Sequence, residues 1–293
     1  MFDKKYTMTA DPPPPMGWDE YEQIVRNELS RLLQEYSGCN APIGEQPIQK
    51  LLERHPCLIP GARGPDGGSG HAPFPLAVIS QPLLPGFPHR RPDFMWLAMD
   101  SMYLSPIIVE IERPNKAWFT QANRITAQLT EAHGQLTQWQ AWFAHPENIQ
   151  QFFFYYDLPQ DLRRLTLRPH YVLIYGRRDE ANSSRQRADM RAQLPRTNET
   201  LMTYDRLEPD RWNDDFLCVR RENDGYQAIT VPPTLTLGPA FADWLALIHD
   251  KDAAVRRSPY LSPERKEFLI QRFPYWSKMV ADGLSVINLG DAE

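Results

Sequence analysis

The sequence predicts an α/β fold: a mixed central sheet flanked by helices, with a helical segment before it and a small extension after it. Apolar residues recur at helical spacing in several stretches. Other runs, rich in β-formers, follow the two-residue period of a strand. Between 171 and 204 a strand, a helix and a second strand follow one another, which reads as a β-α-β unit with a parallel, right-handed crossover. The 293 residues are 42% apolar, enough to bury a core and too apolar for a disordered chain.

Taken in order, Pro12 to Pro15 form a short polyproline leash. Trp18 to Tyr36 is an amphipathic helix with Tyr21, Ile24, Val25, Leu29, Leu32 and Leu33 on its apolar face, stopped by Gly38. A second helix runs from Gln46 to His55 and ends at Pro56. The stretch from Pro60 to His89 is dense in Gly and Pro and reads as a flexible loop, with Leu76 to Ser80 as a short strand inside it. Asp93 to Met99 and Met102 to Glu112 form a β-hairpin around Asp100-Ser101. A long helix over 125–143 carries Leu129, Ala132, Leu136, Trp139 and Phe143 as its core stripe, with Gln135 on a second, polar stripe. The β-α-β unit then uses Tyr171 to Tyr175, Ser183 to Leu194 and Thr200 to Tyr204. A second hairpin joins Phe216 to Arg221 with Tyr226 to Val231 through Asn223-Asp224-Gly225. Helices over 240–248 and 263–272 follow.

Charge narrows the function classes. The net charge is −5 although the chain holds 25 Arg and 7 Lys. That balance argues against coating nucleic acid or anionic lipid through bulk charge. From Asp161 to Arg196, however, nine Arg face four acidic residues. That excess reads either as a phosphate-contacting face or as a solvated helix surface. No segment approaches the ~18 apolar residues of a membrane helix. Met1 to Ala10 has no apolar run behind Lys4 and Lys5, so no membrane partner and a cytoplasmic location are expected. Cys39, Cys57 and Cys218 are widely spaced and suggest neither zinc nor a disulfide framework. There is no Walker loop, no GxSxG and no HxxxH.

The chemistry-bearing piece is Arg91-Pro92-Asp93-Phe94 followed by Val109-Glu110-Ile111-Glu112. Glu110 and Glu112 share one face of a strand, about 7 Å apart at twice the rise per residue. Asp93 opens the neighbouring strand. Three carboxylates can therefore meet at one end of a sheet, a hard-oxygen set suited to Mg²⁺ or Mn²⁺. The same spacing also describes two glutamates on a solvated edge, but Glu110 lies in the apolar run Pro106 to Ile111, where a charge is costly without compensation.

These pieces resemble, in order, the Shedu-type anti-phage defence proteins of the PD-(D/E)xK nuclease superfamily. Glu45 to Leu58 (EQPIQKLLERHPCL) is similar to the family's helix ending in His-Pro, and Arg91 to Phe94 to its Pro-Asp-Phe. Val109 to Pro114 (VEIERP) is similar to its motif strand, and Gln135 to Trp142 (QLTQWQAW) to its Gln- and Trp-bearing helix. Tyr171 to Arg178 and Thr203 to Leu207 are similar to its β-α-β unit. The resemblance implies a restriction-endonuclease-like core and a metal-dependent DNA endonuclease. Asp93, Glu110 and Glu112 would hold Mg²⁺ or Mn²⁺, and Gln135 would complete the catalytic set. Lys116, Arg177 and Arg178 would contact DNA. It also implies a homo-oligomer and a phage-derived trigger. Glu45 would either send a carboxylate toward the metal or serve as a helix-start residue. The resulting organisation is an N-terminal helical segment over 1–60, the Gly/Pro-rich loop over 61–90, a nuclease-like core over 91–210 and a C-terminal extension over 211–293. One departure stands out: Glu112 occupies the place where the superfamily most often has Lys. Lys116 or Arg113 could supply the missing cation. The alternative is a catalytically degenerate nuclease fold that acts as a DNA-binding or phage-sensing module.

Overall fold

A computed structural model describes residues 12–38, 44–86, 90–222, 224–283 and 293. The expectations for Met1 to Ala10 and for Cys39 lie outside these residues, as does Asn223 of the second hairpin turn. Helix α1 spans Trp18–Gly38 and buries Tyr21, Val25, Leu29, Leu33 and Tyr36, the stripe its spacing foretells. Helix α2 spans Gln46–Arg54 and buries Ile48, Leu51 and Leu52. A 3₁₀ turn over Pro56–Leu58 follows it.

The Gly/Pro-rich stretch is built rather than loose. Successive turns close with amide bonds from Gly64 to Gly61 O at 3.0 Å and from Gly67 to Gly64 O at 3.2 Å. It leads into strand β1 over Phe74–Ser80, which begins two residues before its expected start and is buried throughout. Strand β2 (Phe94–Met99) and strand β3 (Tyr103–Ile111) pair antiparallel, with Phe94 opposite Val109 and Met99 opposite Leu104. All six residues of β2 are buried. A strand buried along its whole length must be covered on both faces, which is why this region reads as apolar runs and not as alternation.

Helix α3 spans Ala127–Phe143 and is capped by Thr126, whose hydroxyl accepts from the Leu129 amide at 3.2 Å. Helix α4, Pro146–Tyr155, has no counterpart in the sequence reading. The Phe152 to Tyr156 run at its end is aromatic on every side, so it shows no periodicity, and within the helix itself only Phe152 is fully covered. Strands β4 (Thr166–Leu167) and β5 (His170–Ile174) both lie parallel to β3. The crossover from β5 carries α5 (Arg178–Ala181) and α6 (Arg185–Ala192) to strand β6 (Glu199–Met202), parallel to β5 as foreseen.

The C-terminal part continues the same sheet. Strand β7 (Leu217–Glu222) lies parallel to β1 and antiparallel to β8 (Gly225–Thr230). After helix α7 (Ala242–Ala246), the two-residue strand β9 (Ile248–His249) lies parallel to β8. Among the described residues the order across the sheet is β6-β5-β3-β2-β1-β7-β8-β9, with β4 beside β3. Helix α8 (Lys251–Arg257) was not legible in the sequence. Helix α9 runs over Pro263–Ala281, past the expected stop at Arg272 and through Pro274. Proline removes one helical hydrogen bond, but burial of Phe273, Trp276 and Met279 keeps the helix going.

A polar network ties the two ends of the described chain. Tyr21 Oη lies 3.2 Å from His55 Nδ1, and His55 Nε2 lies 3.3 Å from Glu28 Oε2. Tyr260 Oη donates to Glu28 Oε1 at 2.5 Å. Hydrogen bonds from His55 and Tyr260 outweigh burial and hold the Glu28 carboxyl down at about 2. A depressed carboxyl contributes stability that is complete above its unfolded value near 4.5 and is lost as pH falls toward 2. The Glu28→Gln variant should therefore melt below wild type at pH 7, by roughly 1–2 kcal/mol. The gap should narrow as pH falls from about 4.5 toward 2, read by calorimetry at each pH; a pH-independent gap would remove Glu28 ionisation from the account.

The second prediction concerns Gly176, directly after β5. Its φ is +58°, and a Cβ there would stand 2.6 Å from Lys116 O and 2.8 Å from Trp118 Nε1. Gly176→Ala should cost roughly 2–4 kcal/mol through strain and overpacking. Urea unfolding measures it, and a cost under about 0.5 kcal/mol would show that the backbone yields instead.

A buried carboxylate cluster as candidate metal centre

The β2–β3 register builds the site. Phe94 pairs with Val109, so one step further Asp93 stands opposite Glu110. Directly opposed residues of an antiparallel pair have Cβ atoms about 5 Å apart. The two-residue period then puts Glu112 on the same face as Glu110. Asp93 Oδ2 accepts from the Ile111 amide at 2.8 Å, which fixes the aspartate over the end of β3. Glu110 and Glu112 are only 7% and 8% exposed, so the solvated-edge reading does not describe them.

Helix α2 adds a fourth carboxylate. Glu45 occupies the N-cap position, yet its side chain makes no cap hydrogen bond. It lies 3.7 Å from Lys116 Nζ and adds negative charge felt by both Asp93 and Glu112. Glu45 thus stands at the helix start, as one reading expects, and its carboxylate also faces the cluster, as the other does. Lys116, in the segment after β3, contacts Glu112 Oε2 directly. Tyr204 Oη donates to the Glu112 carbonyl at 2.6 Å, holding the end of the motif strand from below.

Electrostatics follow from this crowding. Burial raises the Asp93 carboxyl to about 7; the Ile111 amide opposes the rise, and Glu45 and Glu112 add to it. Glu110 is pushed well above the usual carboxylate range by burial and by Asp93. Glu112 is raised by burial and by Glu45, with Lys116 pulling the other way. Among the described residues, the buried polar atoms without a hydrogen-bond partner include three on β3 and α3: Glu110 Oε2, Gln135 Oε1 and Trp139 Nε1. Gln135 and Trp139 are one turn apart on α3 and share a face. The Trp139 indole lies close enough to Glu110 to favour its charged form. Spacing placed Trp139 in the core stripe; its polar edge is the part that reading missed.

The residues fit a divalent cation in a limited way. Asp93 and Glu110 offer opposed hard oxygens, and Glu110 Oε2 and Gln135 Oε1 are buried acceptors without donors. An ion such as Mg²⁺, which keeps several waters and takes one or two carboxylates, suits such a pair. Among the described residues no three His, Cys, Asp or Glu side chains gather closely enough to hold an ion by themselves. The physical reason lies in Glu112, whose carboxylate is engaged by Lys116.

The arginines expected to meet DNA are occupied elsewhere. Arg177 Nε and Nη2 both donate to Asp205 Oδ1, at 2.9 and 2.7 Å. Arg178 donates its amide to Asp205 Oδ2 at 2.6 Å and Nη2 to the Asp205 carbonyl at 3.0 Å. Arg187 is spread over Glu180, Asn123, Ser183 and the Thr120 carbonyl. Arg177, Arg178 and Arg187 are thus used as bracing, while α6 buries none of its residues, as a solvated helix surface would. The cations that flank the cluster in sequence are Arg90, Arg91, Arg113 and Lys116. Arg90 sits 5.8 Å over the Trp139 ring, and Arg91 donates to Gln81 O at 3.2 Å. Their adjacency to Pro92-Asp93 and to Glu112 was the available signal.

A family model described as Shedu protein SduA, C-terminal, matches residues 44–207, more than half of the chain. The chain belongs to the Shedu family. That membership places it in anti-phage defence. The Shedu match begins one residue before Glu45 and includes Asp93, Glu110, Glu112, Lys116 and Gln135, so the whole cluster falls inside it. It ends before β7, although β7, β8 and β9 complete the sheet. No curated protein matches the sequence. Among the described residues no helix is long and apolar enough to cross a membrane.

The raised carboxyls give a signed prediction. A carboxyl raised by folding contributes stability that is complete below its unfolded value and is lost as pH rises through the folded value. For Asp93 that window runs from 3.8 to about 7. Metal-free wild type is therefore penalised at pH 8, and Glu110→Gln should melt higher there, by roughly 1–3 kcal/mol. The advantage should shrink by pH 5. A Glu110→Gln protein that melts below wild type at pH 8 would contradict the repulsion argument.

Proposed function

We propose that the chain is a metal-dependent DNA endonuclease with a PD-(D/E)xK-type core, serving the defence role of its family. One observation carries the reading: Asp93 and Glu110 are opposed across β2–β3 in a buried setting, with Lys116 Nζ brought onto Glu112. Lys116 comes from four residues downstream and puts a cation at the end of the motif strand, where Glu112 has replaced the superfamily's Lys. Asp93 and Glu110 would hold Mg²⁺ or Mn²⁺, with Gln135 Oε1 as a further acceptor. Such an ion, when bound, lowers the pKa of a water and offsets the charge that builds on a phosphodiester.

The other roles belong to the chain. Glu112, its carboxyl raised by burial and oriented by Lys116, is placed to take a proton from the attacking water. Lys116 orients Glu112 and adds positive charge beside the scissile phosphate. Arg90, Arg91 and Arg113 border the cluster and would grip the DNA backbone on either side of it. Asp93, fixed by the Ile111 amide, presents its free oxygen without rearrangement.

A second reading has one observation in its favour: Glu112 is tied to Lys116 and no three-ligand set is gathered among the described residues. In that reading the fold binds DNA or senses phage and does not cut.

The two readings separate in one experiment. Wild type, Glu110→Ala and Lys116→Met are incubated with supercoiled and linear DNA in Mg²⁺, Mn²⁺ or EDTA. The nuclease reading expects metal-dependent cutting, slowed on the order of 100-fold or more in both variants. Wild type that shifts DNA in a gel but cuts in neither metal supports the binding module. Equal cutting by wild type and Glu110→Ala removes the site assignment.

A further inference from the structure

A second recess lies at the other end of helix α2, bounded by the last turn of that helix, strand β8 and helix α8. Its volume is about 360 Å³, within the range of small-molecule sites. Three cations border it: Lys50 and Arg54 from α2, and Arg257 from the end of α8. Arg54 is shared with Glu28 at 3.4 Å. Among the described residues Lys50 and Arg257 have no carboxylate partner. Arg257 makes one long hydrogen bond, 3.4 Å to the Ala228 carbonyl.

The single acid on the lining does not cancel them. Glu53 Oε1 accepts from Ser80 Oγ at 2.6 Å and from Arg220 Nη2 at 3.4 Å, so its charge is spent behind the recess. Thr230 adds a hydroxyl to the rim, and Ile229 and Pro259 supply apolar wall. In a chain of net charge −5, uncommitted cations beside an apolar wall form a local inversion of the overall field.

We propose that this recess binds a phosphate-bearing small molecule of about mononucleotide size. The phosphate sits between Lys50 and Arg257. The Arg fork meets two oxygens at once and Lys acts as a point charge. The organic part lies against Ile229 and Pro259. The site is separate from the carboxylate cluster and does not depend on the nuclease reading. The two are nevertheless joined by one rigid element, because the nine-residue helix that carries Lys50 and Arg54 has Glu45 as its N-cap.

The test is calorimetric titration of the full chain, metal-free, with AMP, pyrophosphate, inorganic phosphate and adenosine. AMP should bind at least about tenfold more tightly than adenosine, and the Lys50→Ala/Arg257→Ala double variant should lose about tenfold or more of AMP affinity. Both side chains are exposed, so the double variant is expected to melt with wild type. The single Lys50→Glu variant repeats the test by charge reversal and should weaken AMP at least as much. Glu110→Gln should bind AMP as wild type does. Equal binding of AMP and adenosine overturns the proposal, as does no binding of any probe up to about 10 mM. So does undiminished AMP binding by both cation variants, or loss of AMP binding in Glu110→Gln.

Discussion

Two carboxylates opposed across one antiparallel strand pair set the terms for this molecule. Asp93 and Glu110 stand face to face because Phe94 pairs with Val109, and neither can withdraw while that register holds. Register here is fixed by packing, since a one-residue slip would move every side chain of β2 and β3 to the opposite face and out of the close-packed slot it fills. The apolar core therefore holds together two acids that electrostatics would separate. The raised carboxyls of Asp93 and Glu110 measure that conflict.

The surrounding elements answer the conflict in part. Lys116 follows the motif strand closely enough to fold back onto Glu112, and it reaches Glu45 as well. Gly176 makes this possible, since its bare Cα lies against the Lys116 carbonyl. Tyr204 anchors the Glu112 backbone from the far side. What stays unanswered is Glu110 Oε2 and Gln135 Oε1, two buried acceptors that complete no hydrogen bond, although the Trp139 indole lies near the first. Native interiors rarely leave such atoms without a role, which is why the cluster reads as a place for a cation and its waters.

Arginine has a different use here from the one its abundance suggests. Arg177 braces the Asp205 corner, Arg187 ties four segments together, and Arg265, almost fully buried, joins Pro13, Leu235 and Glu293. The guanidinium fork satisfies several acceptors with one side chain, so an Arg-rich protein can spend its positive charge inside. Among the described residues, two cations left without a carboxylate partner, Lys50 and Arg257, border the recess beside α2.

The sequence by itself determined the α/β class, most helices and strands, the β2–β3 hairpin and the meeting of Asp93, Glu110 and Glu112 at one end of it. Periodicity and turn chemistry are local, and a hairpin brings its two strands together without help from the rest of the chain. Helix α4 escaped because its aromatic run has no apolar-polar period, and α9 ran on past its expected end because buried contacts outweighed Pro274. Only the tertiary structure decided that β7 lies beside β1 and joins the C-terminal part to the sheet. It alone brought Glu45 and Lys116 to the cluster, turned the Trp139 indole toward Glu110 and committed Arg177 and Arg178 to Asp205. Each of these depends on where residues distant in sequence meet, and neither spacing nor composition carries that information.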